Sequence, residues 1–233
     1  MKYAIIADLH GRRGAWRRVR QAAGRAGADR LLLLGDYLEA KVPRRLHDPA
    51  VHWPIEEVVR PDERLWAELA DAELVLGNQE LRIHELLHPE QVPAALAPLL
   101  AAPRAGTVGV ARAEHGDRIR WSEAPDGILE PRLDGVFRSP MLLVGHTHQT
   151  LLLDVTGTST LPVSETSTPA GASGLPNPAR PVIRRLPITV DRPVPVRPDA
   201  HLLVNVGQAR GRPSHWLLYD TGPSEITFKE VDN

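Results

Sequence analysis

The chain has no cysteine among its 233 residues, which excludes a disulfide scaffold, thiolate metal sites, zinc fingers and iron–sulfur clusters. Any metal must therefore be held by His, Asp, Asn or Glu. There is no surplus of charge of one sign either. The 28 basic and 29 acidic residues leave a formal charge of −1, so no overall field gathers long polyanions or draws the chain to a membrane surface. Long apolar runs are also missing: the N-terminal MKYAIIADLHG carries an apolar run of only about five residues before Asp8, far short of a signal-peptide core or a membrane span. The expectation is a cytoplasmic protein with no membrane partner and no favoured nucleic-acid partner.

What is present is ordinary globular material. Apolar residues make up 42% and charged residues 24%, which argues against disorder throughout, and the length suits one large domain spanning 1–233. KYAIIAD (2–8) reads as a strand ending in an acid, and 12–27 follows with Trp16, Val19 and Ala23 at helical spacing. ADRLLLLGDYLE (28–39) repeats the plan, with Leu31 to Leu34 as a doubly buried strand that stops at Gly35-Asp36. AELVLGNQE (72–80) repeats it again. Strands alternating with helical segments predict a layered α/β sheet, with the three polar clusters on one edge.

The second half is richer in strands, at 106–119, 139–155, 200–209, 214–221 and 225–231, and predicts a second sheet. Residues 156–199, dense in Pro, Thr, Ser and Gly, read as a surface excursion that buries little, against the alternative of a lid or partner-binding loop. Residues 40–71 are long for a connection and carry Trp53, Trp66 and Arg44-Arg45, which makes them a candidate cap over the site.

Chemistry concentrates at the ends of the apolar runs. Asp8 and His10 stand two apart in DLH, and His146 and His148 stand two apart in GHTH, straight after MLLV. On extended strand ends, residues two apart point the same way and can chelate one ion. Asp36 follows LLLLG, Asn78 follows LVLG and His115 follows GVARAE, with His84 or His88 as competitors for the place of His115. Seven nitrogen and oxygen ligands exceed what one tetrahedral ion uses. With four imidazoles among them they suit two divalent ions, Mn first, with Fe, Zn, Co or Ni as alternatives, rather than Ca. A pair of such ions suits phosphoester hydrolysis.

DLHG, GDYLE, GNQE, EHG and GHTH stand in the order and approximate spacing of the calcineurin-like metallophosphoesterases, and the set resembles the bacterial branch of that superfamily across residues 3–150. The tail LLVNVGQARGRPSHWLLYDT is similar to that branch's closing strands. The resemblance implies a four-layer αββα sandwich of two mixed sheets flanked by helices. It implies that Asp8, His10 and His148 hold one metal, that Asn78, His115 and His146 hold the other, and that Asp36 bridges them. Asp36, Asn78 and Gln79 are then the catalytic candidates, with Arg12 and Arg82 as candidate phosphate clamps.

Two departures from the family pattern stand out. Glu39 replaces the usual second Asp of GDxxD, and its longer carboxylate can still accept a hydrogen bond from behind a ligand. Gln79 replaces the His that follows Gly-Asn in members acting on phosphomonoesters. A glutamine amide donates a hydrogen bond but gives up no proton at neutral pH. A small phosphorylated substrate whose leaving group needs little protonation is expected, either a phosphodiester or a nucleotide anhydride. The alternatives are a phosphomonoesterase acting on nucleotides or phosphoproteins, with His84, His52 or His47 supplying the proton, and a metal-binding module without turnover. Among the five tryptophans most read as packing residues, and Trp53, in the 40–71 segment, is the one placed to shape selectivity.

Overall fold

The structure, a computed structural model, describes residues 1–133, 139–156 and 181–232. In the first half, β1 (Lys2–Ile6) leads to α1 (Arg13–Arg25), β2 (Arg30–Leu34), the short α2 (Ile55–Val58), α3 (Glu63–Ala70) and β3 (Glu73–Val75). α4 (Asn78–Leu86) and α5 (Ala97–Leu100) follow. The rest is strands: β4 (Ala105–Val108), β5 (Ala111–Glu114), β6 (Arg120–Glu123), β7 (Leu129–Arg132), β8 (Met141–Val144), β9 (Thr150–Thr156) and β10 (Val182–Arg185). They continue with β11 (Pro193–Pro195), β12 (Leu202–Val206), β13 (Ser214–Asp220) and β14 (Glu225–Val231). Among the described residues no helix is long and apolar enough to cross a membrane.

Two six-stranded mixed sheets result. The first has the order β11-β14-β13-β1-β2-β3 and the second β10-β9-β12-β8-β5-β4, while β6 and β7 form a separate hairpin. In the first sheet β1, β2 and β3 run parallel, with Ile6 opposite Leu33 and Leu34 opposite Val75. Parallel strands place their C-terminal ends on one edge, so the residues after Ile6, Leu34 and Val75 meet there. In the second sheet β5 and β8 are likewise parallel, which brings the segments after Glu114 and Val144 to a common edge.

The sheets face each other through Ile5, Leu32, Leu34, Leu143, Val204 and their neighbours. Each such side chain, fully buried, contributes about 1.5–3 kcal/mol. The opposite face of the first sheet, with Ala4, Ile6 and Leu33, packs against Trp16 and Val19 of α1, Trp66 and Leu69 of α3 and Ile83 of α4. The expected sandwich of two mixed sheets flanked by helices is therefore present. Among the described residues, the helices gather on the first sheet. The outer face of the second, with Leu142, Val144 and Leu203, is packed by Ile119, Trp121 and Leu133 at the β6–β7 hairpin.

Two stretches carry regular structure that their composition does not signal. Part of 40–71 is helix-layer material, because Leu65, Trp66 and Leu69 give α3 one apolar face that is buried on the core. The 156–199 excursion falls largely on 157–180, which lie outside the described residues. Residues 181–199 are not a bare surface loop. β10 pairs with β9 and β11 pairs with β14, and Val196 is buried in the inter-sheet core with Leu186, Ile188 and Val194 packed beside it.

Candidate metal centre

Five short segments converge where the strand ends meet. The segment after β1 is tied to the one after β2 by three backbone bonds, from the N–H groups of Asp8, His10 and Gly11 to the carbonyls of Gly35, Asp36 and Tyr37. On its other side, the N–H groups of Ala209 and Arg210 donate to the carbonyls of Ala7 and Asp8. The second sheet's edge is closed by Gly145 N–H donating to the His115 carbonyl, and His146 N–H donates to Asp8 Oδ2 at 2.9 Å, joining the two sheets.

The chelating pairs are not displayed from extended strands as the two-residue spacing suggests. β1 ends at Ile6 and β8 at Val144, and Asp8, His10, Asp36, His146 and His148 all have positive φ, between 49° and 72°. Five of the seven non-glycine residues with positive φ among the described residues belong to this set. Left-handed backbone costs of order 1–3 kcal/mol at a non-glycine residue and clusters at functional sites. Here it turns alternate side chains inward, while Leu9 between them is buried in the core. Gly35, at φ 84°, permits a close approach: a Cβ there would stand 2.6 Å from Gly77 Cα and 2.8 Å from His115 Nδ1.

Two groups form. Asp8, His10 and His148 offer ligand atoms within 4.8 Å of one another, and so do Asp36, His115 and His146. In the first, the Nε2 atoms of His10 and His148 are 3.2 Å apart and lie 3.9 and 3.5 Å from Asp8 Oδ1. That oxygen is buried and has no hydrogen-bond partner. A buried carboxylate oxygen orphaned in this way is costly unless a partner meets it. His10 Nδ1 is held by Glu39 Oε2, so the proton sits on that side and the Nε2 lone pair faces inward. Glu39 is thus the hydrogen-bond partner of His10 on the side away from the group.

In the second group, His115 Nε2 lies 3.2 Å from Asn78 Oδ1, 3.3 Å from His146 Nδ1 and 3.3 Å from Asp36 Oδ1. Its Nδ1 is anchored on the Leu34 carbonyl at 2.7 Å. Burial works to lower the His115 pKa, but the hydrogen bond and charge of Asp36 outweigh it and bring it up to about 9. Burial likewise works to raise Asp36, and His115 holds it below the usual carboxylate range. His146 is lowered by burial and by the His115 charge. The three acceptors around one imidazole nitrogen favour positive charge at that point, which a divalent ion would supply in place of a proton. Both donor sets fit hard-to-borderline divalent ions.

The neighbouring candidates divide. Asn78 opens α4 directly after Gly77, and its amide oxygen reaches the second group. Gln79 N–H donates to Asp36 Oδ1 at 2.9 Å, while its side-chain Oε1 accepts from Ala40 N–H at 3.2 Å and Arg82 Nη1 at 3.3 Å. Arg82 also donates from Nη2 to the Val42 carbonyl at 2.6 Å, so its two terminal nitrogens join Gln79 to the start of 40–71. Arg12 is exposed at the N-terminus of α1. His84 and His88 are exposed, whereas His115 is buried within the group. His47 lies 3.0 Å from Glu85, and His52 stacks edge-on against His88.

Two supporting residues escaped the sequence reading. Glu80 is fully buried and accepts from the N–H groups of Asp36, Leu38 and Gly77 at 2.8, 2.8 and 2.9 Å. Burial raises its pKa, the Asp36 charge adds to that, and the backbone donors act against it. Asn205, buried in β12, donates to Thr147 Oγ1 at 2.7 Å and steadies the loop between His146 and His148. The signal was a polar residue inside an apolar run, LLVNV, and an acid in the first turn of a helix whose start is itself at the site.

No protein-family model and no curated protein matches the chain. Solved structures do. A metallophosphoesterase from Sphaerobacter thermophilus superposes with a TM-score of 0.55 at 17% identity, covering 100% of this chain and 89% of that one. An archaeal phosphodiesterase aligns with a TM-score of 0.45 at 11% identity over 99% and 100% of the two chains. The phosphoesterase Yfce from E. coli aligns with a TM-score of 0.40 at 18% identity over 99% and 98%. The first likeness, with the two mixed sheets and the paired His/Asp groups at their joint edge, establishes the architecture: this chain has the fold of the calcineurin-like metallophosphoesterase superfamily.

Proposed function

We propose that the protein hydrolyses phosphoester bonds with the help of two divalent ions, and that it acts on phosphodiesters or nucleotide anhydrides. The observation that carries this reading is the pair of inward-facing ligand groups, one with an orphaned buried carboxylate oxygen and the other with three acceptors around a single imidazole nitrogen. In this reading Asp8, His10 and His148 hold one ion, Asn78, His115 and His146 hold the other, and Asp36 serves both, with Mn as the first candidate metal. Two such ions, when bound, would neutralise phosphoryl charge and make water nucleophilic at neutral pH.

The chain's own groups set the rest. Glu39 and the Leu34 carbonyl fix the tautomers of His10 and His115. Gln79, with its Oε1 engaged by Ala40 and Arg82, is left with its amide N–H groups as donors and no transferable proton. A missing general acid costs a factor of about 10² to 10⁴, felt most by basic leaving groups, and this supports diester or anhydride substrates over simple monoesters. The bonds from Gln79 and Arg82 to Ala40 and Val42 support 40–71 as the cap that selects among them.

The test is hydrolysis of bis-nitrophenyl phosphate by protein reconstituted with Mn²⁺, compared with mono-nitrophenyl phosphate, cyclic nucleotides and dinucleoside polyphosphates. Activity should vanish on chelation and return with metal. A preference for the simple monoester overturns the substrate assignment. No hydrolysis of any ester by metal-loaded protein overturns the enzyme reading.

A further inference from the structure

Beside the metal centre lies a cleft of about 850 Å³ lined by Arg12, Arg13, Arg18, Arg60, Arg210 and Arg212. A chain of net charge −1 has concentrated six guanidinium groups there, and the one acid in the lining is Asp62. Asp62 caps α3 through the Leu65 N–H. Arg13 is paired with Glu68. Among the described residues, Arg12, Arg60 and Arg212 have no carboxylate within ion-pairing distance, and all three are exposed.

The cleft is continuous with the ligand groups. Gly11 in its wall follows His10 directly, Arg210 N–H donates to the Asp8 carbonyl, and Arg210 Nη2 lies 3.3 Å from His148 Nδ1. Its floor includes the start of α1, a helix of thirteen residues with no acid in its first turn and no side-chain cap. Cations at the positive end of a helix are unfavourable by themselves, so Arg12 and Arg13 at this position oppose local stability, and an anion in the cleft relieves both.

We propose that this cleft binds the non-reacting phosphates of a substrate that carries a chain of two or more phosphoryl groups. The proposal rests on the reading above, in which the scissile phosphoryl group sits at the paired ligand groups. Planar guanidinium forks match phosphate oxygens two at a time. The volume is that of a small-molecule site. No aromatic side chain lines the cleft, so it has no platform for stacking bases as a single-strand groove does. Phosphate charge, and not a base or a long strand, is what this surface recognises.

The experiment separates binding from turnover. Chelator-treated, metal-free protein is titrated calorimetrically with tripolyphosphate, with orthophosphate and with a single-stranded deoxythymidine oligomer. Tripolyphosphate should bind at least about tenfold more tightly than orthophosphate, and Arg60→Gln and Arg212→Gln should each weaken it about tenfold, the scale of one charge-assisted hydrogen-bonded contact. Thermal unfolding midpoints confirm that the variants are folded, and Arg60→Glu should abolish binding outright. Equal affinity for the two phosphates, or variants that bind as well as the parent, overturns the proposal. Tighter binding of the oligomer overturns it in favour of a nucleic-acid groove. Hydrolysis of bis-nitrophenyl phosphate by the metal-loaded parent is read separately: its failure removes the hydrolase reading while leaving the affinities as measured, and its success with no phosphate-chain binding removes only the cleft.

Discussion

Among the described residues, the Glu39 carboxylate bonds the far nitrogen of His10, and that contact leaves Nε2 of the ring facing the neighbouring Asp8 and His148. Glu39→Ala should lower metal affinity about 10- to 100-fold, as losing such a partner does elsewhere. Calorimetric Mn²⁺ titration checks this, and unchanged affinity would show that His10 needs no support. Gln79 poses the sharper question, because its Oε1 is engaged by the Ala40 N–H and Arg82 and its donor end alone is left over. Gln79→His introduces a group that transfers protons near neutral pH. It should raise monoesterase activity relative to diesterase activity, read as the ratio of kcat/KM values on the mono- and bis-nitrophenyl esters. An unchanged ratio would mean that this position does not face the leaving group. The sequence made both residues visible, since each breaks a motif that is otherwise intact. It left the left-handed backbone at Asp8, His10, Asp36, His146 and His148 unseen, because Asp-x-His spacing is the same in an extended strand and in alternating left-handed turns.

At the scale of elements, the parallel run β1, β2, β3 was legible from three apolar runs that stop at Gly or an acid, and α1 from the spacing of Trp16, Val19 and Ala23. β10 and β11 were not legible. They are short, flanked by proline, and owe their pairing to neighbouring strands rather than to their own pattern. Glu80 shows the same limit in a helix: its local role as an acid in the first turn of α4 is common, whereas the N–H groups of Asp36 and Leu38 that it also holds come from more than forty residues away in sequence. Through this one carboxylate the start of α4 and the loop after β2 are a single unit. Glu80→Ala strands three buried N–H groups, each at a cost of about 1–3 kcal/mol, so a loss of about 3 kcal/mol or more is expected. Urea unfolding of the metal-free protein measures it, and a loss below about 1 kcal/mol would mean that water replaces the carboxylate.

Across the whole molecule, each ligand group draws on both sheets. Asp8 and His10 follow β1 of the first sheet, while His148 follows β8 of the second; Asp36 follows β2, while His115 and His146 follow β5 and β8. Without an ion, the His146 N–H bond to Asp8 Oδ2 and the His115 Nδ1 bond to the Leu34 carbonyl link the sheets at this edge, set against the repulsion of converging acceptors and the strained backbone beneath them. An ion at either group would tie one sheet to the other and remove that repulsion. Binding confined to the folded state adds stability as RT ln(1 + [L]/Kd), about 2.7 kcal/mol at a hundredfold excess over Kd. The thermal midpoint should therefore rise with Mn²⁺ concentration and fall on chelation. Asp8→Asn should blunt the rise by weakening one group, while its remaining side-chain oxygen can still accept from His146 N–H and keep the metal-free midpoint near that of the parent. A midpoint indifferent to metal would show that the two groups do not bridge the sheets, whatever the protein hydrolyses. A variant that lost stability without metal but kept the full metal-induced rise would place Asp8 in the scaffold and outside the ligand set.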